Sequence, residues 1–481
     1  MFNFSEKVIN LLDEHGIQVG FWIFVAAIAV CSLVLAIPTF TLGTNGVFPF
    51  IDKLMPCVGL SLFVVFFVCL VVAVSVGYDL LKGSGVHVIA WDGYEEASIY
   101  APGKKRSKPQ FLTYLRPIDD LPPLDLRNGV RCEFDGLVID IELLSRFRKM
   151  RTPQNNDILH SIDQKHLNAA IHRNEGTKTP LHDVAHQLIT GIAVDGQAIY
   201  GVPLRMGFQE ILCRQDVLQR LIGAERFAKV KAVKRDAAVK IYSPAASETT
   251  ADDFSHADFN VDVLISTGLR VGLWHWYLPT LTTLALTLES NPKDTDFLDG
   301  ADAQAAIERL GTHDSVHLLY SSEQIQRSLT SDAEKDRPVD IVLGAGSWAL
   351  REDTEQGKVA IVVPVDKLPV FIDCCSLLNE RSQDNPRHFR RQQCIKWLLH
   401  MLTDRAQLEL CSKAQYQAIP VTKPALDRML ANSSKPWIAE VWNAIAPTAG
   451  AFPKPPLLLR SLPTEQHSWY WAWGQIESKF K

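Results

Sequence analysis

The sequence predicts an α/β chain of two lobes joined by a hinge and preceded by two membrane-spanning helices. Three observations carry this expectation. The chain has 481 residues, more than the ~250–300 that one hydrophobic core organises, so two or more cores are expected. Two long uncharged runs stand near the amino terminus. One segment, Gly191 to Leu218, reads as a passage between lobes: Val194-Asp195-Gly196-Gln197 is a turn, and a strand from Ala198 to Val202 should stop at Pro203, which has no N–H to give a sheet. Gly207 lies just beyond, a second apolar run follows, and a helix starts near Asp216.

The first uncharged run lies between His15 and Asp52 and includes VGFWIFVAAIAVCSLV. The second covers Cys57 to Tyr78. Each reaches the ~20 residues that cross a hydrocarbon core. A cleavable signal peptide fits the first run poorly, because the preceding segment is acidic on balance and a second span follows. Residues 1–85 are therefore read as a tail and transmembrane hairpin with spans at about 19–41 and 56–78. A hairpin leaves the tail and the large carboxy-terminal part on one side. Lys82, with the more distant Lys104, Lys105, Arg106 and Lys108, leans that side toward the cytoplasm by the positive-inside rule.

Composition narrows the function. A net charge of −5 gives no nucleic-acid footprint. The nine cysteines form no CxxC pair and show no regular spacing, so a disulfide framework is not indicated. The lone GxG at Gly344–Gly346 is neither GxGxxG nor a Walker sequence, and no cofactor is expected.

The remaining elements follow in order. Val86 to Trp91 is rich in β-formers and ends in a turn, Asp92-Gly93-Tyr94. Trp91 and Tyr94 then sit at a strand's carboxyl end, where open α/β sheets hold ligands; packing between loops is the other role open to them. Lys104 to Pro123 is basic and Pro-rich and reads as a surface loop. Cys132 to Ile139 is the next strand, and Asp140 either faces the cleft or caps a helix Ile141–Met150. His182 and His186 are spaced i, i+4, as on a zincin helix, but Asp183 stands where a zincin carries Glu, and a solvated helix is the preferred reading. Val271 to Tyr277 feeds a buried helix Pro279–Glu289. Shorter helices are expected at Asp302–Leu310, with Asp302 as cap, and at Ser322–Thr330. Asp336 to Trp348 reads as a buried strand ending in a Gly-rich turn, Lys358–Pro364 continues as a strand, and a long amphipathic run covers Phe389–Ala414.

Several of these pieces resemble, in order, the type II periplasmic binding proteins, particularly the spermidine/putrescine-like branch of ABC-transporter substrate-binding proteins. Asp195-Gly196 through Gly201-Val202-Pro203-Leu204-Arg205, Gly207 and Asp216-Val217-Leu218 look like that family's "vDGk-yGVPyrwG…YNkDlL". Trp91 with Tyr94 looks like its "nW-xY", and Asp135 to Ile139 like "yDlvv". The strand ending at Trp348 looks like "vdi…gW", and Val370 to Asp373 like "P.eG…wxD", with Phe371 where Trp is usual.

The resemblance implies lobe one from 86–206 plus 368–481 and lobe two from 207–367, with crossings near Arg205–Cys213 and Val363–Val370. It also implies a ligand site drawn from Trp91, Tyr94, Asp140, Arg205, Trp276, Trp348 and Asp373. Arg205 would meet an anionic group, Asp373 an amine or polar group, and Trp276 would stack. Tyr277 and Thr280 stand where polyamine binders place carboxylates, which speaks against a polyamine. The implied function is a membrane-anchored protein, not an enzyme, that captures a small polar solute for an ABC-type importer through a membrane-embedded permease, with its soluble part in the periplasm or outside the cell. Two alternatives remain open at this point: a ligand-sensing receptor that signals to a membrane partner through the hairpin, and a membrane-anchored metallohydrolase using His182 and His186.

Overall fold

The computed structural model describes residues 87–479 apart from 92–93, 95–109, 115–134, 150–158, 164–180, 196–197, 231, 235–238, 244–252, 289–300, 337, 352–357, 379–387, 414–416, 433–435, 447–452, 454 and 460–466. The expected transmembrane hairpin lies outside the described residues. Among the described residues no helix is long and apolar enough to cross a membrane.

The chain begins with β1 (His87–Trp91), β2 (Gln110–Tyr114) and β3 (Gly136–Asp140), then the helix Ile141–Lys149. Short strands β4 (Leu159–His160), β5 (Ile162–Asp163), β6 (Val194–Asp195) and β7 (Ala198–Ile199) flank the helix Asp183–Ile189 and lead to β8 (Val202–Phe208). Next come β9 (Ile211–Arg214), β10 (Ala232–Lys234), β11 (Val239–Tyr242), β12 (Val271–Trp274), β13 (Val316–Leu319), β14 (Ile341–Leu343) and β15 (Val359–Val362). The long β16 (Leu368–Leu378), β17 (Ile419–Pro420) and β18 (Leu457–Leu459) complete the strands.

These strands build two large sheets. The first runs β17-β8-β16-β3-β1-β2, and the second runs β10-β11-β15-β9-β14-β12-β13. Their cores repeat one plan. In the first sheet β1 is parallel to β2 and β3, while β16 is antiparallel to both β3 and β8. In the second, β12 is parallel to β13 and β14, while β9 is antiparallel to both β14 and β15. Each antiparallel strand is the first to arrive from the other sheet. The chain leaves the carboxyl end of β8, passes only Gln209-Glu210, and starts β9. A strand that enters so directly comes in at the carboxyl edge and must run against its neighbours, since a parallel entry needs a crossover of a dozen or more residues. The passage from β15 to β16 through Val363–Lys367 does the same in reverse. The carboxyl edges of the two sheets therefore adjoin.

Local sequence explains most elements. Asp140 accepts the Glu142 backbone N–H at 3.1 Å and so starts the helix Ile141–Lys149. That helix buries Ile141, Leu144 and Phe147 at helical spacing. The helix Tyr277–Thr287 carries no charge and is buried on every side. Its threonines stay satisfied by bonding back along the helix, Thr282 to the Leu278 carbonyl at 2.7 Å and Thr283 to that of Pro279 at 3.1 Å.

Five expectations need correction. Pro203 does not end a strand, because β8 continues through it to Phe208. The register against β16 shifts there: Asp373 faces Arg205 and Cys374 faces Pro203, which leaves Leu204 as the extra residue of a bulge. Buried Gln407 completes the bulge, its Nε2 donating to the Leu204 carbonyl at 2.8 Å and to that of Met401 at 2.7 Å, while its Oε1 accepts from the Val421 N–H at 2.8 Å. Within the segment read as a loop, Gln110–Tyr114 forms β2, since QFLTY is a β-forming stretch that β1 can pair. Asp302 lies inside the helix Ala301–Thr312 rather than capping it. The amphipathic run splits at Leu402-Thr403 into helices His388–Met401 and Asp404–Lys413. Finally, the helix His467–Ser478 packs on the helices Ala301–Thr312 and Tyr277–Thr287, and Trp473 and Ile476 join the apolar cluster of the second sheet. Residues 368–481 thus do not all lie with the first sheet. Gly311 permits the close contact, since a Cβ there would lie 3.1 Å from the Gln475 carbonyl oxygen.

Replacing Gln407 by Leu strands three buried backbone groups. It is expected to lower stability by about 3 kcal/mol, read as a shift in the urea midpoint, because each buried group left without a partner costs about 1–3 kcal/mol.

Candidate functional site

The adjoining carboxyl edges bring together residues far apart in sequence. Arg205 on β8 and Asp373 on β16 are register partners, and Asp373 also faces Asp140 at the end of β3. The Arg205 Nε donates to Asp373 Oδ2 at 2.8 Å, and each side chain is 5% exposed. The Tyr94 hydroxyl, arriving from the turn after β1, donates to the same oxygen at 3.0 Å. The Arg205 guanidinium lies 4.3 Å from the Tyr94 ring centroid, a cation–π contact that closes the triad. Burial and the Asp373 carboxylate hold the Tyr94 hydroxyl well above its ordinary pKa, despite the opposing pull of Arg205. Burial works against the Arg205 charge, but Tyr94 and Asp373 outweigh it and raise its pKa. The buried Arg205 Nη1 has no hydrogen-bond partner among the described residues.

Two residues before Asp373 on β16, Phe371 belongs to an aromatic wall. Trp348, in the turn after β14, meets Trp274 at the end of β12 edge-on with centroids 5.5 Å apart. It also meets Phe371 of β16 edge-on at 6.2 Å, so the wall joins the two sheets. His275 extends it outward, 4.4 Å from Trp274 and 5.5 Å from the exposed Tyr320.

Other expected residues take different places. Trp91 is the last residue of β1 and pairs with Tyr114. Asp140 is buried, and one carboxylate oxygen serves as the helix cap. Trp276 precedes the helix Tyr277–Thr287, half-buried, and packs against both apolar clusters. Tyr277 is buried, and the Thr280 hydroxyl donates to the Trp274 carbonyl at 2.7 Å, so both residues serve the fold at that helix start.

The histidine pair is not arranged as on a zincin helix. His182 precedes the helix Asp183–Ile189 as its N-cap. Its Nδ1 accepts the Ala185 N–H at 3.2 Å. That leaves Nε2 to carry the proton, which it donates to the Pro420 carbonyl at 3.1 Å. Both ring nitrogens are thus engaged, the ring edge rests on Trp442, and His186 is exposed. Among the described residues no group of three or more His, Cys, Asp or Glu could hold a metal ion.

Sequence reasoning missed the residues of the crossing itself. Gln209 donates from Nε2 to the Pro279 carbonyl and the Thr283 hydroxyl of the second sheet's buried helix. Glu210 is fully buried and accepts from the Ser347 N–H at 2.8 Å and the Ser347 hydroxyl at 2.6 Å. Burial pushes its carboxyl above the ordinary range, against the lowering effect of those two bonds. One signal was available: Gln209-Glu210 is a polar pair set between the apolar runs of β8 and β9.

No protein-family model and no curated protein sequence matches the chain. Solved structures do. A putative spermidine/putrescine ABC transporter from Listeria monocytogenes matches with a TM-score of 0.51 and 13% identity, over 82% of this chain and 99% of that one. The spermidine/putrescine substrate-binding protein PotD from Streptococcus pneumoniae matches with a TM-score of 0.48 and 12% identity, over 82% and 98%. The binding protein MotA from A. tumefaciens, solved with glucopine, matches with a TM-score of 0.47 and 15% identity, over 82% and 99%. The described part of this chain has the type II periplasmic-binding-protein fold of ABC-transporter substrate-binding proteins. The proteins it resembles are binding proteins rather than enzymes.

Two outcomes are expected. Asp373→Asn leaves the Arg205 cation buried without a counter-charge and should cost about 3–5 kcal/mol in urea unfolding, whereas the joint change Arg205→Met with Asp373→Leu should recover most of it. His182 is held at a pKa of about 4 against an ordinary 6.5, chiefly by burial. The unfolded chain therefore takes up the proton first, so stability is full above the ordinary value and falls as pH drops through this window, by about 3 kcal/mol in all. His182→Asn keeps a capping side chain and should flatten that slope when urea midpoints are compared across pH.

Proposed function

We propose that this chain is a membrane-anchored solute-binding protein, with the two sheets as the cores of two lobes and a small polar ligand captured where their carboxyl edges adjoin. The observations that carry the reading are the Tyr94–Arg205–Asp373 network of the first sheet and, two residues before Asp373 on β16, the contact of Phe371 with Trp348 from the second. The fold shared with ABC-transporter substrate-binding proteins supports it. Arg205 Nη1, buried and without a hydrogen-bond partner among the described residues, is the donor that an oxygen of the ligand would meet. Trp348, Trp274 and Phe371 offer ring faces and edges to its apolar part. Ligand selects the closed arrangement of the lobes, and delivery is to the permease of an ABC-type importer.

Residues 1–85 anchor the protein in the cell membrane through the two uncharged runs, with the soluble part in the periplasm or outside the cell. That two spans are used, where one would anchor, favours a second reading: a receptor that passes closure to a membrane partner through the hairpin.

A panel of amino acids, amines, sugars and organic acids screened by thermal shift on the purified full chain should yield a ligand. Its saturable stabilisation should fall at least tenfold in apparent affinity in Trp348→Ala, a loss of about 1.4 kcal/mol. A reporter fused at the carboxyl terminus should be active in its extracytoplasmic form. No stabilising solute, or a response untouched by Trp348→Ala, would count against capture at this edge.

A further inference from the structure

Glu210 has a role that neither folding of a strand nor contact with a ligand explains. It stands in the two-residue crossing between the sheets, fully buried, and among the described residues no cation is one of its partners. An ionised carboxylate in such a place is costly unless its oxygens are well bonded. Both oxygens bond one residue: Oε2 accepts the Ser347 N–H at 2.8 Å and Oε1 the Ser347 hydroxyl at 2.6 Å. Ser347 opens the short 3-10 turn Ser347–Ala349 that carries Trp348. The turn comes so close that Gly346 has no room for a side chain, since a Cβ there would lie 2.2 Å from Glu210 Oε2 and 2.4 Å from the Phe208 carbonyl oxygen.

The crossing is held on its other sides as well. The Gln209 N–H donates to the Pro369 carbonyl of β16 at 2.9 Å, while the Gln209 side chain reaches the helix Tyr277–Thr287. Gln209 thus ties the crossing to a strand and a helix. Glu210 alone of the two ties it to the turn that bears the aromatic wall.

We infer that Glu210 is a positioning residue that makes the first crossing and the Trp348 turn move as one body, so that a change in the angle between the sheets is passed to the Trp348–Phe371 contact. A carboxylate suits the task because two acceptors on one rigid plane grip both donors of one residue. A single acceptor would grip only one of the two donors. The inference rests on the binding reading only for what the movement accomplishes.

The test needs no ligand. The full chain is labelled with 5-fluorotryptophan, and the Trp348 signal among the eleven tryptophans is the fluorine resonance missing from Trp348→Phe. In Glu210→Ala and in Ser347→Ala that resonance is expected to shift and broaden while most others keep their positions. Glu210→Gln should restore it, because the amide can accept from the Ser347 N–H and donate to its hydroxyl oxygen. An unmoved Trp348 resonance in both alanine variants would overturn the inference. So would an equal displacement in Gln209→Leu, which would make the crossing as a whole, and not the Glu210 carboxylate, the element that sets the turn. A protein that binds no solute can still pass this test, and one that binds a solute can fail it.

Discussion

The shortness of the passage from β8 to β9 is the constraint on which the rest of the molecule depends. Two residues cannot carry the chain to the far edge of another sheet, so β9 must enter the second sheet from its carboxyl edge and run against β14 and β15. The return through Val363–Lys367 imposes the same on β16. From that alone the carboxyl edges adjoin, and the residues at those edges are brought within reach of one another. The second passage is fastened too: Asp366 accepts from His256 Nδ1 at 2.9 Å, and the Val365 N–H donates to the Phe254 carbonyl at 2.9 Å.

Polar groups at the adjoining edges are largely satisfied by one another. Arg205, Asp373 and Tyr94 share one network, Glu210 is bonded by Ser347, and Asp140 caps a helix. In a buried setting each of these groups would be costly alone, and the pairings of Arg205 and Tyr94 with Asp373 and of Glu210 with Ser347 join elements that are distant in the chain. Arg205 to Asp373 spans 168 residues and Glu210 to Ser347 spans 137. The same contacts that remove an electrostatic penalty therefore also fasten the turn after β1, β8 and β16 to one another within the first sheet, and the crossing to the turn after β14. Capture at this edge and the coupling through Glu210 would both draw on that one set of contacts.

Much of the fold was legible where a local signal agreed with the tertiary result. Uncharged, threonine-rich TLTTLALTL announces a buried helix because no face of it suits water, and it is buried on every side. Ser322–Thr330 begins after Ser321, whose hydroxyl accepts the Gln324 N–H at 3.1 Å, an ordinary cap. Signals failed where a distant partner reversed them. Pro203 reads as a strand end, yet a bulge at Leu204 absorbs the missing donor, and Gln407, some two hundred residues away, bonds the carbonyl that the bulge exposes. The His182–His186 segment reads as a solvated helix that happens to carry histidines, yet the helix begins one residue later and His182 is buried as its cap.

By itself the sequence determined the kinds of element and the presence of a crossing near Gly207, because apolar periodicity, turn residues and caps act over a few neighbours. It also named Tyr94, Arg205, Trp348 and Asp373 one at a time, through their resemblance to motifs at strand ends. Only the tertiary structure decided that Asp373 is held by Arg205 and Tyr94 and that Glu210 grips the Trp348 turn. Those outcomes depend on which strand lies beside which and on which face each side chain takes. A pairing across more than a hundred residues leaves no trace in the local pattern, because it is fixed by the direction in which the chain enters each sheet.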